Sequence, residues 1–94
     1  MPDIKSVDLR GKIPDAGAVH FLRAEWKVPQ SRFVIVRFVL DNKEQLLGLR
    51  LDLDKRAILD AVKDEETSAA VKARAEQIWN IVISYRRERR ETYI

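Results

Sequence analysis

The sequence predicts a small α+β domain of two layers, in the order βββαα. A three-stranded antiparallel sheet is followed by a short helix and a long C-terminal amphipathic helix. Two patterns in the sequence predict this class. In the middle of the chain, apolar residues alternate with polar ones, as in strands that bury one face. In the last third, apolar residues recur every three or four positions, as in a helix that buries one face.

The longest predicted element is a helix over residues 67–90. Thr67 or Ser68 is its predicted N-cap, because a side-chain hydroxyl can accept a hydrogen bond from an unpaired amide of the first turn. Neither Gly nor Pro occurs after Gly48, so no residue type interrupts the pattern. The apolar positions that share one face of this helix are Val71, Ala75, Ile78, Val82 and Tyr85.

Three strands are predicted before the helices. Residues 18–28 are predicted as a strand because residues 22–28 alternate apolar and charged side chains, with a helix as the alternative interpretation. Residues 47–53 place leucine on one face. Residues 32–40 are apolar on both faces and rich in β-branched side chains, which favours a central strand. Residues 41–44 have the composition of a turn and predict an antiparallel hairpin between the second and third strands.

A short helix is predicted over residues 55–63. Asp54 is its expected N-cap, and Ile58, Leu59 and Val62 mark its buried face. A single kinked helix that joins this segment to the long one is the alternative interpretation.

The length of 94 residues suits one domain, predicted over residues 18–94. Residues 1–17 are expected to form an N-terminal arm that is either flexible or an edge strand. The chain has no cysteine, which excludes disulfides, thiolate catalysis and cysteine-based metal sites. Its longest apolar run is much shorter than a membrane span, and its first residues lack the apolar core of a signal peptide. A cytoplasmic location without a membrane partner is therefore expected.

The predicted function is that of a small, non-catalytic protein-binding or regulatory domain that self-associates through the long helix. Trp79 and Ile83 lie to one side of the main apolar face, and Tyr85 lies near the C-terminal end of the helix. We expect these three residues to contact a second copy of the chain or another protein. The alternative is that the short helix covers Trp79 and Ile83.

Nucleic-acid binding is the second hypothesis. The chain carries a formal net charge of +3, from 18 basic and 15 acidic side chains. Guanidinium groups suit phosphate oxygens, although successive residues of a helix point in different directions, and a solvated helix end has the same composition. The candidate contacts at the helix end are Arg86, Arg87, Arg89 and Arg90, with Arg23 and Lys27 on a strand as reinforcement.

Metal-dependent phosphodiester cleavage is the third hypothesis and has the least support. Asp15, Glu25 and Lys27 formally match the PD-(D/E)xK nuclease pattern, in which two carboxylates hold a divalent metal ion. Only nine residues separate Asp15 from Glu25, too few for the hairpin that normally presents these groups. Asp52 and Asp54 could share a metal ion, but strand-end and capping roles are favoured. The chain is therefore expected to be neither an enzyme nor a cofactor-binding protein, and His20, the only histidine, has no nucleophile beside it in sequence.

Overall fold

The computed structural model describes residues 4–27, 32–41, 43–58 and 65–88. Over these residues the chain has an α+β fold with a five-stranded antiparallel sheet and one C-terminal helix. Within these residues, no helix has both the length and the apolar character of a membrane span.

The strands of the sheet lie side by side in chain order, and each pair of neighbours is antiparallel. The predictions of a central strand and of an antiparallel hairpin after it are both confirmed, because the third strand lies in the middle and pairs with the fourth. The elements are β1 (Ile4–Asp8), β2 (Val19–Lys27), β3 (Phe33–Leu40), β4 (Leu47–Asp52), β5 (Ala57–Ile58) and α1 (Glu65–Glu88).

The prediction of three strands and two helices is wrong, since the described residues form five strands and one helix. The predicted short helix cannot begin at Lys55, because Arg56 has a φ of 53° and lies in the left-handed region. The chain instead turns here and forms β5, which pairs with the end of β4. The rest of the predicted helix, residues 59–63, lies outside the described residues.

Asp52 is the residue that caps this turn, in place of the predicted Asp54. One carboxylate oxygen of Asp52 accepts hydrogen bonds from the amides of Asp54 and Lys55, at 3.0 and 3.1 Å. An aspartate that bonds the backbone two residues on stabilises a turn as readily as it caps a helix. The same sequence pattern therefore fits both structures.

The strand β1 pairs with β2 along its whole length, with Val7 opposite Ala24. Its sequence gives little sign of this pairing, because Val7 is the only buried side chain among its five residues. The following segment also contributes to the core, where Leu9 and Ile13 are 0% and 3% exposed. Arg74 of α1 donates hydrogen bonds to two backbone carbonyls of this segment, each at 3.1 Å.

The core lies between α1 and one face of the sheet. A register shift between Phe21 and Arg23 in β2 lets both Phe21 and Ala24 point into the core. The described helix begins at Glu65, so the predicted caps Thr67 and Ser68 lie inside it. The fully buried side chains of the helix are Val71, Ile78 and Val82, and those of the sheet include Ala24, Val36 and Leu51.

We expect the substitution Ile78→Ala to lower the free energy of unfolding by about 2 to 5 kcal/mol, because it leaves a cavity in a site that is 0% exposed. Urea unfolding followed by circular dichroism measures this loss. Asn80→Ala, at an exposed position of the same helix, is the control and should change stability by less than about 0.5 kcal/mol. Equal effects of the two variants would contradict the assigned core.

Candidate functional site

The sheet face opposite α1, called here the open face, carries polar side chains from four strands. Because cross-strand partners point to the same side of a sheet, the register defines this face. Glu25, Ile35 and Arg50 form one row across β2, β3 and β4. Arg23 and Arg37 form part of the next row, about 7 Å away along the strands.

A cavity of about 590 Å³ lies on the open face and is called here the basic groove. This volume is within the range of small-molecule sites. Strands β1 to β4 and the turn after β4 all contribute to its lining. The lining residues are Ile4, Glu25, Trp26, Lys27, Arg32, Phe33, Ile35, Arg37, Arg50, Asp52 and Lys55.

Positive charge is concentrated in the basic groove. Its lining contains five basic side chains and two carboxylates, which gives a surplus of three positive charges. The formal net charge of the whole chain is also +3. The other 13 basic and 13 acidic side chains of the sequence sum to zero, so the lining of the groove is more basic than the sequence outside it taken as a whole.

Both carboxylates of the groove are held in ion pairs. Glu25 accepts hydrogen bonds from Nε of Arg37 at 2.7 Å and from Nε of Arg23 at 3.1 Å. The hydrogen bond from Arg37, with a smaller contribution from Arg23, lowers the pKa of Glu25 below its usual value. Glu25 is therefore an anion at neutral pH, and it fixes two guanidinium groups on the open face.

Asp52 is the second carboxylate of the groove and is 1% exposed. One of its oxygens lies 3.3 Å from Nε of Arg32, and the other accepts the two amide hydrogen bonds of the turn. Among the described residues, no carboxylate lies within ion-pair distance of the ammonium groups of Lys27 and Lys55. These two lysines are exposed at the groove and can meet an anionic ligand.

Gly48 makes room for the guanidinium group of Arg37. A Cβ atom at this position would lie 2.5 Å from Nη1 of Arg37 and 3.1 Å from Cγ2 of Ile35. The Arg37 side chain therefore lies across the backbone of β4, where any other residue type would displace it. Gly48 does not have a positive φ, so the requirement for glycine is one of space.

Phe33 places an aromatic ring in the basic groove. Its side chain is one of three large apolar side chains that are exposed among the described residues, and it is 40% exposed. The guanidinium carbon of Arg32 lies 4.8 Å from the centre of the ring, a distance that favours a cation–π contact. A planar cation and an aromatic ring thus lie together at the edge of the groove.

The structure places much of the predicted protein-binding surface of α1 inside the fold. Trp79 is 8% exposed, and the guanidinium group of Arg56 lies 5.5 Å from its ring centre. The ring of Tyr85 contacts Trp26 edge to face, with 5.6 Å between ring centres. Ile83 is partly buried against the core. Arg56 belongs to the turn before β5, in the described part of the segment that was predicted to form the short helix.

The predicted basic cluster at the end of α1 is divided between core and surface. Arg86 is 4% exposed, and its guanidinium carbon lies 4.6 Å from the ring centre of Trp26. Arg87 is exposed, whereas Arg89 and Arg90 lie outside the described residues. The two strand residues predicted to reinforce this cluster, Arg23 and Lys27, lie on the open face instead. Lys27 lines the groove, and Arg23 is paired with Glu25 beside it.

The three residues of the nuclease pattern are not brought together as a metal site. Asp15 is hydrogen-bonded to His20 at 2.7 Å, at the start of β2. Glu25 lies five residues further along the strand, roughly 16 Å away, and is held by two arginines. Within the described part of the chain, no three His, Cys, Asp or Glu side chains form a group that could hold a metal ion.

His20 connects two loops at one end of the sheet. Its Nδ1 bonds Asp15 in the loop before β2, and its Nε2 bonds Asp41 in the turn after β3. The hydrogen bond with Asp41, followed by that with Asp15, raises the pKa of His20 above its usual value of 6.5. Both ring nitrogens donate to carboxylates only when the imidazole is protonated. The carboxylates lie on opposite ring nitrogens, so one metal ion cannot replace the proton and join all three.

Sequence reasoning missed most of the basic groove. Arg32, Phe33, Arg37, Arg50 and Lys55 were not among the predicted contacts. The alternation of side chains along a strand could have indicated three of them. It puts Phe33, Arg37 and Arg50 on the faces opposite the buried side chains. The strand register is also needed to show that these faces adjoin.

The chain matches no family model, no curated protein and no solved structure. The candidate site is therefore assigned from its geometry and charge.

We expect stability to depend on pH through His20. Because its pKa is raised in the folded state, the ion pairs contribute fully below pH 6.5 and are lost as pH rises through the folded pKa. The free energy of unfolding of His20→Gln should fall furthest below that of the wild type at low pH. Urea unfolding from about pH 5 to about pH 9 measures the difference. A difference that does not shrink as pH rises would contradict the assignment.

We expect Gly48→Ala to displace Arg37, because the added Cβ atom would overlap its guanidinium group. The pKa of Glu25 should then rise toward 4.5, since the hydrogen bond from Arg37 is the main cause that lowers it. An NMR titration of the Glu25 carboxyl carbon measures this shift. Asn80→Ala, at an exposed position of α1 on the other layer of the fold, is the control. An unchanged pKa in Gly48→Ala would show that Arg37 lies elsewhere.

Proposed function

We propose that this chain is a non-catalytic binding domain whose basic groove binds the phosphate backbone of a nucleic acid. The observation that carries the proposal is the location of the charge. The groove contains a surplus of three positive charges, equal to that of the whole chain. Neutralisation of phosphates by such side chains releases counterions, and this release drives most nucleic-acid binding that is independent of sequence.

The types of residue in the groove also support a phosphate ligand. Three of the five basic residues are arginines, whose planar guanidinium groups bond phosphate oxygens in pairs. Arg32 and Arg37 are oriented by Asp52 and Glu25. Their side chains therefore lose less conformational entropy when a ligand binds than unrestrained side chains would.

Apolar residues in the same groove favour a nucleic acid over a simple anion. Ile4, Phe33 and Ile35 line the space between the cations, and Ile4 and Phe33 are 66% and 40% exposed. An inorganic anion would leave these side chains in water. A nucleotide has a base that can cover them while its phosphate meets the cations.

Self-association through α1 has less support than binding at the groove. Trp79 is buried, and Tyr85 is in contact with Trp26. The exposed large apolar residues among the described part of the chain are Ile4, Phe33 and Leu46, which lie in or beside the sheet.

We expect the double variant Lys27→Gln/Lys55→Gln to bind labelled DNA and RNA oligonucleotides more weakly than the wild type. Its dependence on salt should also be weaker, because each lost phosphate contact lowers the slope of log K against log salt by about 0.7 to 0.9. Fluorescence anisotropy at several salt concentrations measures both quantities.

The matched control is Lys43→Gln/Lys72→Gln, which removes the same charge from two exposed positions outside the groove. It should retain nearly the binding of the wild type. Equal loss in the two double variants would mean that the charge acts without a defined site. The absence of binding by the wild type at low salt would refute the proposed function.

A further inference from the structure

We infer that the basic groove selects single-stranded over double-stranded nucleic acid, by stacking one base against the Phe33–Arg32 pair. This inference rests on the proposed function and names the form of nucleic acid that the groove takes. It depends on three features of the open face: an exposed aromatic ring, a guanidinium group fixed beside the ring, and the size of the groove.

The aromatic ring is the first feature. Phe33 lies in β3 on the open face, opposite Asp52 of β4. Large apolar side chains are usually buried, so a ring that is 40% exposed among cations favours a ligand with a flat apolar surface. A nucleobase has such a surface, and its stacking on aromatic side chains is largely independent of sequence.

The position of Arg32 is the second feature. Its guanidinium carbon lies 4.8 Å from the ring centre of Phe33, and its side chain is 46% exposed. Arginine planes also stack on bases. A base can therefore extend the stack on the outer side of Arg32 or take the place of Arg32 on the ring.

Asp52 acts as a positioning residue for this stack. It is 1% exposed and lies 3.3 Å from Nε of Arg32, while its other oxygen is bonded to the amides of the turn that carries Lys55. One buried carboxylate thus forms an ion pair with Arg32 and hydrogen bonds with the turn. The stacking surface and a lysine of the groove are held in a defined relation before a ligand binds.

The size of the groove is the third feature. A cavity of about 590 Å³ can hold a base with its sugar and phosphate, but it cannot admit a duplex. The bases of a duplex are stacked on one another inside the two backbones, so only phosphates would reach the groove. The side chains of Ile4 and Phe33 would then remain exposed. A single strand can turn its bases outward and cover both side chains.

The experiment compares the binding of an oligothymidylate of about 15 nucleotides with that of a duplex of equal length, by fluorescence anisotropy at low salt. The wild type should bind the single strand at least about tenfold more tightly than the duplex. Phe33→Leu retains an apolar side chain without an aromatic plane, and it should weaken single-strand binding roughly fivefold or more. The same variant should leave duplex binding unchanged.

Leu46→Ala is the matched control, because Leu46 is 43% exposed and does not line the groove. It should bind the single strand as the wild type does. Equal melting temperatures of wild type and Phe33→Leu would exclude unfolding as the cause of weaker binding. Poly-glutamate is included as a competitor, and it should displace the oligonucleotide much less well than unlabelled single strand.

The outcomes separate the two proposals. Equal binding of duplex and single strand, with no effect of Phe33→Leu, would overturn the inference. The proposed function would remain in place if Lys27→Gln/Lys55→Gln still weakens binding. If neither oligonucleotide binds the wild type, the proposed function fails and the inference fails with it. Effective competition by poly-glutamate would indicate an acidic protein segment as the ligand and would overturn both.

Discussion

The contact between α1 and one face of the sheet is the interaction on which the rest of the structure depends. Val71, Ile78 and Val82 are 0% exposed in this contact, and burial of apolar surface is the main favourable term in folding. A helix covers only the face on which it lies. The open face instead carries polar side chains from several strands, such as Glu25, Arg37 and Arg50.

Trp26 contributes both to the core and to the basic groove. This residue belongs to the core, where it contacts Tyr85 and Arg86 of α1, and it also contributes to the lining of the basic groove. The end of the helix and one side of the groove therefore share a residue. Arg86 thus packs on an aromatic ring in the core, although its place in a run of arginines suggests a surface role.

Ion pairs orient the arginine side chains of the open face. Glu25 pairs with Arg23 and Arg37, and Asp52 pairs with Arg32. Gly48 leaves space for the guanidinium group of Arg37. Long basic side chains on an unrestrained surface lose much conformational entropy when they bind. Carboxylates that orient them lower this cost, while the groove keeps a surplus of positive charge.

The sequence by itself determined the elements with strong periodicity, namely α1 and the strands β3 and β4, because their apolar patterns are local. It favoured a strand at β2 but was also compatible with a helix there. Only the tertiary structure showed β1 and β5. The strand β1 pairs with residues that are distant in the chain, and β5 follows a turn that depends on the left-handed backbone of Arg56. The basic groove was likewise beyond local patterns. Its residues come from separate strands, and only the register of a twisted sheet brings their side chains to one surface.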